Sequence, residues 1–360
     1  MDAKSETKSF PMKGGNDQSS YVNNSSLQRK SVDLSKEIIE EAISKNLSIE
    51  NPKTFRIADL GCSVGSNTLV AVRNIVEAAD HKYKSQPEFQ VFFNDHASND
   101  FNTLFLSLPS ERRYFAAGVP GSFYTRLFPQ GSLHIVYSST ALHWLSQVPK
   151  EIVDINSSAW NKGRIHYTDA PNEVLQAYSA QYVMDMEAFL LARANEVVCG
   201  GLMFLVIPGV IDGTRDSQTG GGFFDVLGSC LVEMAKMGMV DEAKVDSFNL
   251  PVYHTSPKEV TELVEKNGYF NTERLEKMYS PGISIDHVQI FSDHLRAGLE
   301  VIIKQHFGFS NSDLDILFEM YTKRLVDSFP TLAKAAEKSL HMFFVLKRNN
   351  ITISAKRYFI

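Results

Sequence analysis

An apolar run, Phe55-Arg56-Ile57-Ala58-Asp59-Leu60, ends directly on Gly61, and helical spacing follows from Leu69 through Ala79. A strand, a glycine loop and a helix in that order restrict the chain to a small set of α/β folds. Upstream, Val32, Ser35, Ile38, Ile39, Ala42, Ile43 and Leu47 recur near helical spacing, with Glu37, Glu40, Glu41 and Lys45 largely opposite. This predicts an amphipathic helix from Ser31 to Leu47, before the Asn51-Pro52 break. Further strands are expected at Phe89–Phe93, Tyr114–Val119 and Leu133–Tyr137. A fifth, Leu202–Ile207, is expected after Gly200-Gly201 stops a long helix that begins near Ala180. Alternating strands and helices imply an α/β, doubly wound parallel sheet.

Beyond Ile211 the character changes. A glycine-rich stretch, Gly220-Gly221-Gly222, is mixed with helical segments at Phe223–Met237 and Ser256–Lys266, which reads as an insertion over the sheet. Apolar pieces near Glu273–Tyr279 and Met342–Leu346 would supply the last strands. The expected division is a disordered tip at 1–10, a core at 11–210 with a cap segment near 148–180, a mainly helical cap at 211–335 that includes the 273–279 strand, a last core strand within 336–348, and a tail at 349–360. The net charge of -6 is spread along the chain, which argues against a nucleic-acid footprint. Cys62, Cys199 and Cys230 are too few and too dispersed for a disulfide framework or a zinc knuckle. With no apolar signal region and no run of the roughly 18 apolar residues a membrane span needs, a soluble cytoplasmic protein without a membrane partner is expected.

A glycine loop closing a first strand lets backbone approach a ligand at a helix N-terminus. Here Gly61 is followed by Cys62, Ser63 and Val64 before Gly65, so the middle glycine of the dinucleotide fingerprint is missing. A pyrophosphate is poorly served, and a nicotinamide-dependent dehydrogenase is disfavoured. S-adenosylmethionine (SAM) instead brings a sulfonium, an amino-acid end and an adenosine. Asp59 at the loop and Asp95 at the end of Phe92-Phe93-Asn94-Asp95 stand where its partners would be, the latter where such folds place a ribose-binding acid. Spacing alone leaves SAM and other nucleotides open. Asp59 could cap the loop and Asp95 could close a turn. Cys62 has no basic neighbour in sequence to activate it, so a small buried filler is the better reading than a nucleophile.

Several longer motifs resemble one family. They are Met12-Lys13-Gly14-Gly15, Ser19-Ser20-Tyr21, ADLGCSVGSNT from Ala58, FFNDHASNDFNTLF from Phe92, GVPGSFYTRLFP from Gly118 and SSTALHWLSQVP from Ser138. Together they are similar to the plant SABATH methyltransferases, which methylate the carboxylates of salicylate, jasmonate and indoleacetate or the nitrogens of caffeine precursors. The resemblance runs from Phe10 to about Arg348. It implies a Rossmann-like SAM-dependent methyltransferase sheet with an inserted α-helical cap, and a homodimer. It carries SAM contacts to Tyr21, Ser25, Asp59, Gly61, Cys62, Asn67, Asp95, His96, Ser122 and Phe123, with Asp95 on the ribose hydroxyls and Ser122 and Phe123 around the adenine. His96 stands where many members have leucine.

For the acceptor, the resemblance assigns Gln28 and Trp144 as donors to a substrate carboxylate, and places His143 and Thr140 in the pocket wall. An ionised carboxylate is already nucleophilic, so no catalytic dyad has to be found; alignment and water exclusion suffice. Thr140 occupies a position that is usually tyrosine, and His143 one where salicylate-specific members tend to have methionine. A small-molecule acid bulkier than salicylate is therefore expected. Other candidates for the wall are Met203, Ile211, Phe223, Phe224, Leu227 and Phe309, each equally readable as core. The resemblance also implies a structural magnesium ion on Asn161, Asp246, the Phe248 carbonyl and Asn249, an oxygen-only set that suits the ion. The alternatives are N-methylation of a xanthine-like heterocycle and a SAM-binding protein without turnover.

Overall fold

The strand that ends on Gly61 lies inside the sheet, two strands from one edge. The computed structural model describes residues 10–214, 221–279 and 284–352. β1 (Thr54–Leu60) is flanked by parallel β2 (Glu88–Asp95) and β4 (Leu133–Ser139), and β3 (Tyr114–Pro120) and β5 (Val197–Gly209) extend the sheet in parallel on the two sides. The chain then returns β7 (Leu340–Arg348) antiparallel between β5 and β6 (Phe270–Tyr279), giving a seven-stranded sheet in the order β3-β2-β1-β4-β5-β7-β6. Strands covered on both faces read as continuous apolar runs, which is why β4 and β5 were legible without alternation.

One face is covered by α1 (Ser26–Asn46), α2 (Ser66–Lys82) and α3 (Phe101–Leu106). There Ile39, Ile43, Val72 and Ile75 bury Phe55, Ile57, Val91 and Phe204. The other face is covered by α4 (Asn172–Glu196), with Tyr178, Met186 and Phe189 packed on Ala58, Val136, Met203 and Phe344. α5 (Gly222–Lys236) and α6 (Glu242–Ser247) follow. α7 (Pro257–Asn267), opened by a Ser256/Glu259 capping box, packs Val260 and Val264 into the same sheet core. α8 (Val288–Phe307) and α9 (Asn311–Ala336) join α5 and α6 in a separate cluster around Leu231, Ile303, Leu317 and Phe318. The insertion is thus a helical cap interrupted by one helix and one strand that belong with the sheet.

Three boundaries differ from expectation. α1 begins at Ser26, five positions before Ser31, and α2 begins at Ser66 rather than Leu69. Ser26 and Gln28 of α1 and Asn67 and Thr68 of α2 line a cavity, so apolar spacing marks where each helix meets the core and not where it starts. α4 spans Asn172–Glu196, and Gly200 and Gly201 lie inside β5. They are needed there by close approach: a Cβ on Gly200, at φ +79°, would sit 2.6 Å from the Ser48 carbonyl oxygen, and one on Gly201 2.8 Å from that of His134. Of the expected tip, residues 1–9 lie outside the described residues, and Phe10 packs on the cap cluster. Of the expected tail, 353–360 lie outside them, while the Asn349 amide donates to the Tyr269 carbonyl. Among the described residues no helix is long and apolar enough to cross a membrane.

One buried ion pair fixes the loop after β3. Arg193 and Glu196, both fully buried at the end of α4, meet at 2.7 Å. Glu196 also accepts from the Leu127 and Phe128 amides, and Arg193 donates to the Phe123 and Thr125 carbonyls. Every arm of the pair therefore holds segment 123–128. Removing one partner leaves the other charge buried and unpaired. Arg193→Ala is expected to lower unfolding free energy by about 3–5 kcal/mol, read as a reduced midpoint in urea; a loss below about 1 kcal/mol, as for exposed pairs, would contradict this role.

Candidate active site

At the C-terminal ends of β1, β2 and β4 the sheet opens into a cavity of about 960 Å³, roofed by α8 and the start of α1. Ligands of open α/β sheets bind at this edge. Gly61 carries φ +79°, and a Cβ there would lie 2.4 Å from that of Ala141, so only glycine lets the β1 loop pass the β4 loop so closely. The loop is laced to β2: the Gly61 and Cys62 amides donate to the Asn94 carbonyl, and the Ser63 amide donates to Asp95 Oδ2 at 2.8 Å. Asn94 in turn donates through Nδ2 to the Val119 and Gly121 carbonyls, joining the loop after β3. Gly65 caps α2 without a side-chain bond, which leaves first-turn amides for a ligand.

Tyr21, Asp59, Gly61, Cys62, Asn67, Asp95, His96 and Phe123 line this part of the cavity. Ser25 lies just behind it, its carbonyl accepting from Asn67 Nδ2 at 2.9 Å. Ser122 is not in the lining; its hydroxyl accepts from the Tyr124 amide and its carbonyl from that of Thr125. Burial pushes the Asp59 carboxyl up to about 7, opposed by the hydroxyl of Thr68 and reinforced by Asp95. Asp95 is also raised by burial, against the amides of Ser63 and His96 that hold it. Burial, with Asp95 and Asp59 beside it, drives the Cys62 thiol well above its ordinary value. The Cys62 thiol is therefore held protonated.

The other part is lined by Gln28, Thr140, His143 and Trp144, with Phe223 and Phe224 from α5. Backbone bonds from Leu145 to Pro251 and from Tyr253 to His143 tie the His143-Trp144 segment to the insertion, and Tyr124 Oη donates to the Trp144 carbonyl at 2.6 Å. Thr140 sits at φ +54°, unusual for a β-branched residue, while its amide donates to Val206. The remaining wall candidates fall elsewhere. Met203 and Leu227 are fully buried core, Phe309 packs on Phe307, and Ile211 lines a separate smaller cavity. Their apolar character serves packing.

Sequence reading missed His254, His294 and His341, which line the same cavity from segments far apart in the chain. Burial and the neighbouring histidines hold His143 well below its ordinary value, and burial takes His341 down to about 4. No Lys or Arg is among the described lining residues. The lining is mainly apolar, and its histidines His143, His294 and His341 are held below their ordinary value by burial. Gln28 Oε1, Tyr137 Oη and His143 Nδ1 are buried there without partners. No local sequence signal marks these histidines; only the topology assembles them.

The four magnesium candidates lie outside this cavity but close to one another. Asn161 Nδ2 donates to Asn249 Oδ1 at 2.7 Å, and Asp246 accepts from the Gly163 amide. Asn161 Oδ1 is buried without a partner, so the set offers one free hard oxygen beside one carboxylate. Among the described residues no group of three or more His, Cys, Asp or Glu could hold a metal ion.

A profile described as SAM dependent carboxyl methyltransferase matches residues 7–349. The chain belongs to that family. Within it, the chain is 49% identical over 350 residues to loganic acid O-methyltransferase of Catharanthus roseus, covering 94% of each. It is 39% identical to the farnesoic acid carboxyl-O-methyltransferase of Arabidopsis thaliana, over 95% of this chain and 99% of that one. A solved loganic acid methyltransferase with S-adenosylhomocysteine (SAH) superimposes with a TM-score of 0.89 at 48% identity, covering 94% of this chain and 99% of that one. The carboxyl methyltransferase is thus a SAM-dependent enzyme on the expected Rossmann-like sheet. The relatives support carboxyl O-methylation and lend nothing to N-methylation of a heterocycle.

The raised Asp59 has a consequence for stability. In the folded chain it keeps its proton to about 7, whereas unfolded it would lose it near 3.8. Its contribution therefore becomes unfavourable as pH rises through that window and levels off above it. Histidines held neutral by burial act in the opposite sense, so the difference between two proteins is the readout. Asp59→Asn should gain stability relative to wild type in urea unfolding of the SAM-free enzyme as pH goes from about 4 to about 7; a difference that does not change with pH would contradict the assignment.

Proposed function

We propose that this enzyme transfers the SAM methyl group to the carboxylate of a small acid bulkier than salicylate, giving the methyl ester. The observation that carries the reading is a single cavity whose one part is built around Asp59, Asp95 and Phe123 and whose other part holds Gln28 and Trp144, with no lysine or arginine among the described lining residues. In this reading Tyr21, Ser25, Gly61, Cys62, Asn67, His96 and Ser122 complete the SAM surround, Asp95 takes the ribose hydroxyls and Phe123 the adenine. Asp59 would lie towards the ammonium of the amino-acid end.

Gln28 and Trp144 donate to the acid and aim one oxygen at the methyl carbon. That oxygen forms the new bond as the carbon–sulfur bond breaks and SAH leaves; the electron pair goes to sulfur and no proton moves. A cation at the carboxylate would lower its nucleophilicity, and neutral His143 avoids this. Catalysis comes from alignment in a closed, dry site. Thr140 in place of a ring leaves room for a larger acid, and loganic acid, the acceptor in the name of the 49% identical relative, is the first to test. The finer parts of the reading are a homodimer in the cytoplasm and a structural magnesium ion held by Asn161, Asp246, the Phe248 carbonyl and Asn249. The unpaired Asn161 oxygen supports the ion.

Methyl transfer from labelled SAM to loganic, farnesoic and salicylic acids tests the acceptor class. One of the larger acids should exceed salicylic acid by at least about ten-fold in kcat/KM, and Thr140→Tyr should shrink that ratio. A preference for salicylic acid in the wild-type enzyme would overturn the reading.

A further inference from the structure

Gln28 can donate to a carboxylate only if its amide nitrogen, and not its oxygen, is held towards the donor side. An exposed glutamine interconverts the two orientations freely, so something must set this one. The structure supplies a chain of three groups. His294 on α8 places Nδ1 2.9 Å from the Asn24 carbonyl oxygen. A carbonyl only accepts, so Nδ1 bears the hydrogen. Its Nε2 is 3.2 Å from Gln28 Nε2. In a neutral ring protonated on Nδ1, Nε2 is an acceptor, and the Gln28 amide must then donate to it. Burial, opposed only by the Asn24 carbonyl, holds the imidazole below its ordinary value and so neutral. With the opposite orientation, the Gln28 oxygen would face the imidazole lone pair. The Gln28 amide uses one of its two N–H groups on His294 and keeps the second. Gln28 Oε1 is buried without a partner.

We infer that His294 is a positioning residue for the transfer: through the Asn24–His294–Gln28 chain it fixes the amide of Gln28 so that one N–H remains for the substrate carboxylate. The inference rests on the reading that Gln28 binds that carboxylate. It also gives α8, a cap helix, a part in acceptor binding separate from any contact with the acid itself. His294 and Gln28 are 266 positions apart, so only the fold brings them together.

The test is a double-mutant cycle of His294→Phe and Gln28→Ala. The acceptor probe is whichever of loganic, farnesoic and salicylic acid the wild-type enzyme turns over fastest, and SAM affinity is measured by calorimetry in parallel. Gln28→Ala alone should raise the KM of the acid by about ten-fold, the effect of one lost oriented hydrogen bond. If it does not, the carboxylate reading of Gln28 fails and the inference with it. His294→Phe should raise the same KM by a similar factor with SAM affinity within about two-fold, and should add nothing in the Gln28→Ala background. His294→Gln, whose amide can donate to Asn24 and accept from Gln28, should recover most of the loss. Additive losses in the cycle, or a parallel loss of SAM affinity in both His294 variants, would overturn the positioning role while leaving that of Gln28 intact.

Discussion

The C-terminal end of β2 is the point on which the site depends. Asn94 and Asp95 are placed there by a strand buried between β1 and β3, and between them they receive the backbone of both neighbouring loops. The Asn94 carbonyl holds the Gly61 and Cys62 amides, Asp95 holds Ser63, and the Asn94 side chain holds the loop after β3. The loop held by Asn94 is gripped again from behind by the buried Arg193–Glu196 pair. Two loops that would otherwise be surface connections are thereby fixed relative to one another. A preorganised surround of this kind is what a cofactor with several separate polar groups requires.

Electrostatics divide the cavity in a way that matches methyl transfer. Near the glycine loop two carboxyls share a buried site, an arrangement unfavourable in the empty protein and suited to a cationic ligand. Around Gln28 and Trp144 stand an amide, an indole and the imidazoles of His143 and His294, which burial holds below their ordinary value. An acid entering there meets hydrogen-bond donors, with no lysine or arginine among the described lining residues to blunt its oxygen. Charge attraction is therefore available between the two ligands, from carboxylate to sulfonium, along the line on which the reaction proceeds.

Much of the fold was legible because the central strands β4 and β5 are buried on both faces and stand out as apolar runs, as does the C-terminal half of β1. The errors fell where function or close packing overrides pattern. The first turns of α1 and α2 carry Ser26, Gln28 and Asn67 towards the cavity, so apolar periodicity begins only after them. Gly200 and Gly201 look like a helix stop but serve a close crossing within a strand. The cofactor loop could be read from glycine spacing, yet that spacing only excluded a dinucleotide; the longer motifs carried the family. His254, His294 and His341 could not be read at all, because a histidine in an amphipathic helix or at a strand end gives no sign of what it will face.

The central claim is that an already ionised carboxylate attacks a sulfonium methyl with no general base. The pH dependence of kcat, at saturating SAM and acid, tests it most directly, because protonation of a required base would appear there even when binding is complete. The account predicts a kcat that is flat from about pH 6 to about pH 9. A kcat that falls on an acidic limb with an apparent pKa inside that range would show that a titrating base takes part, and would contradict it.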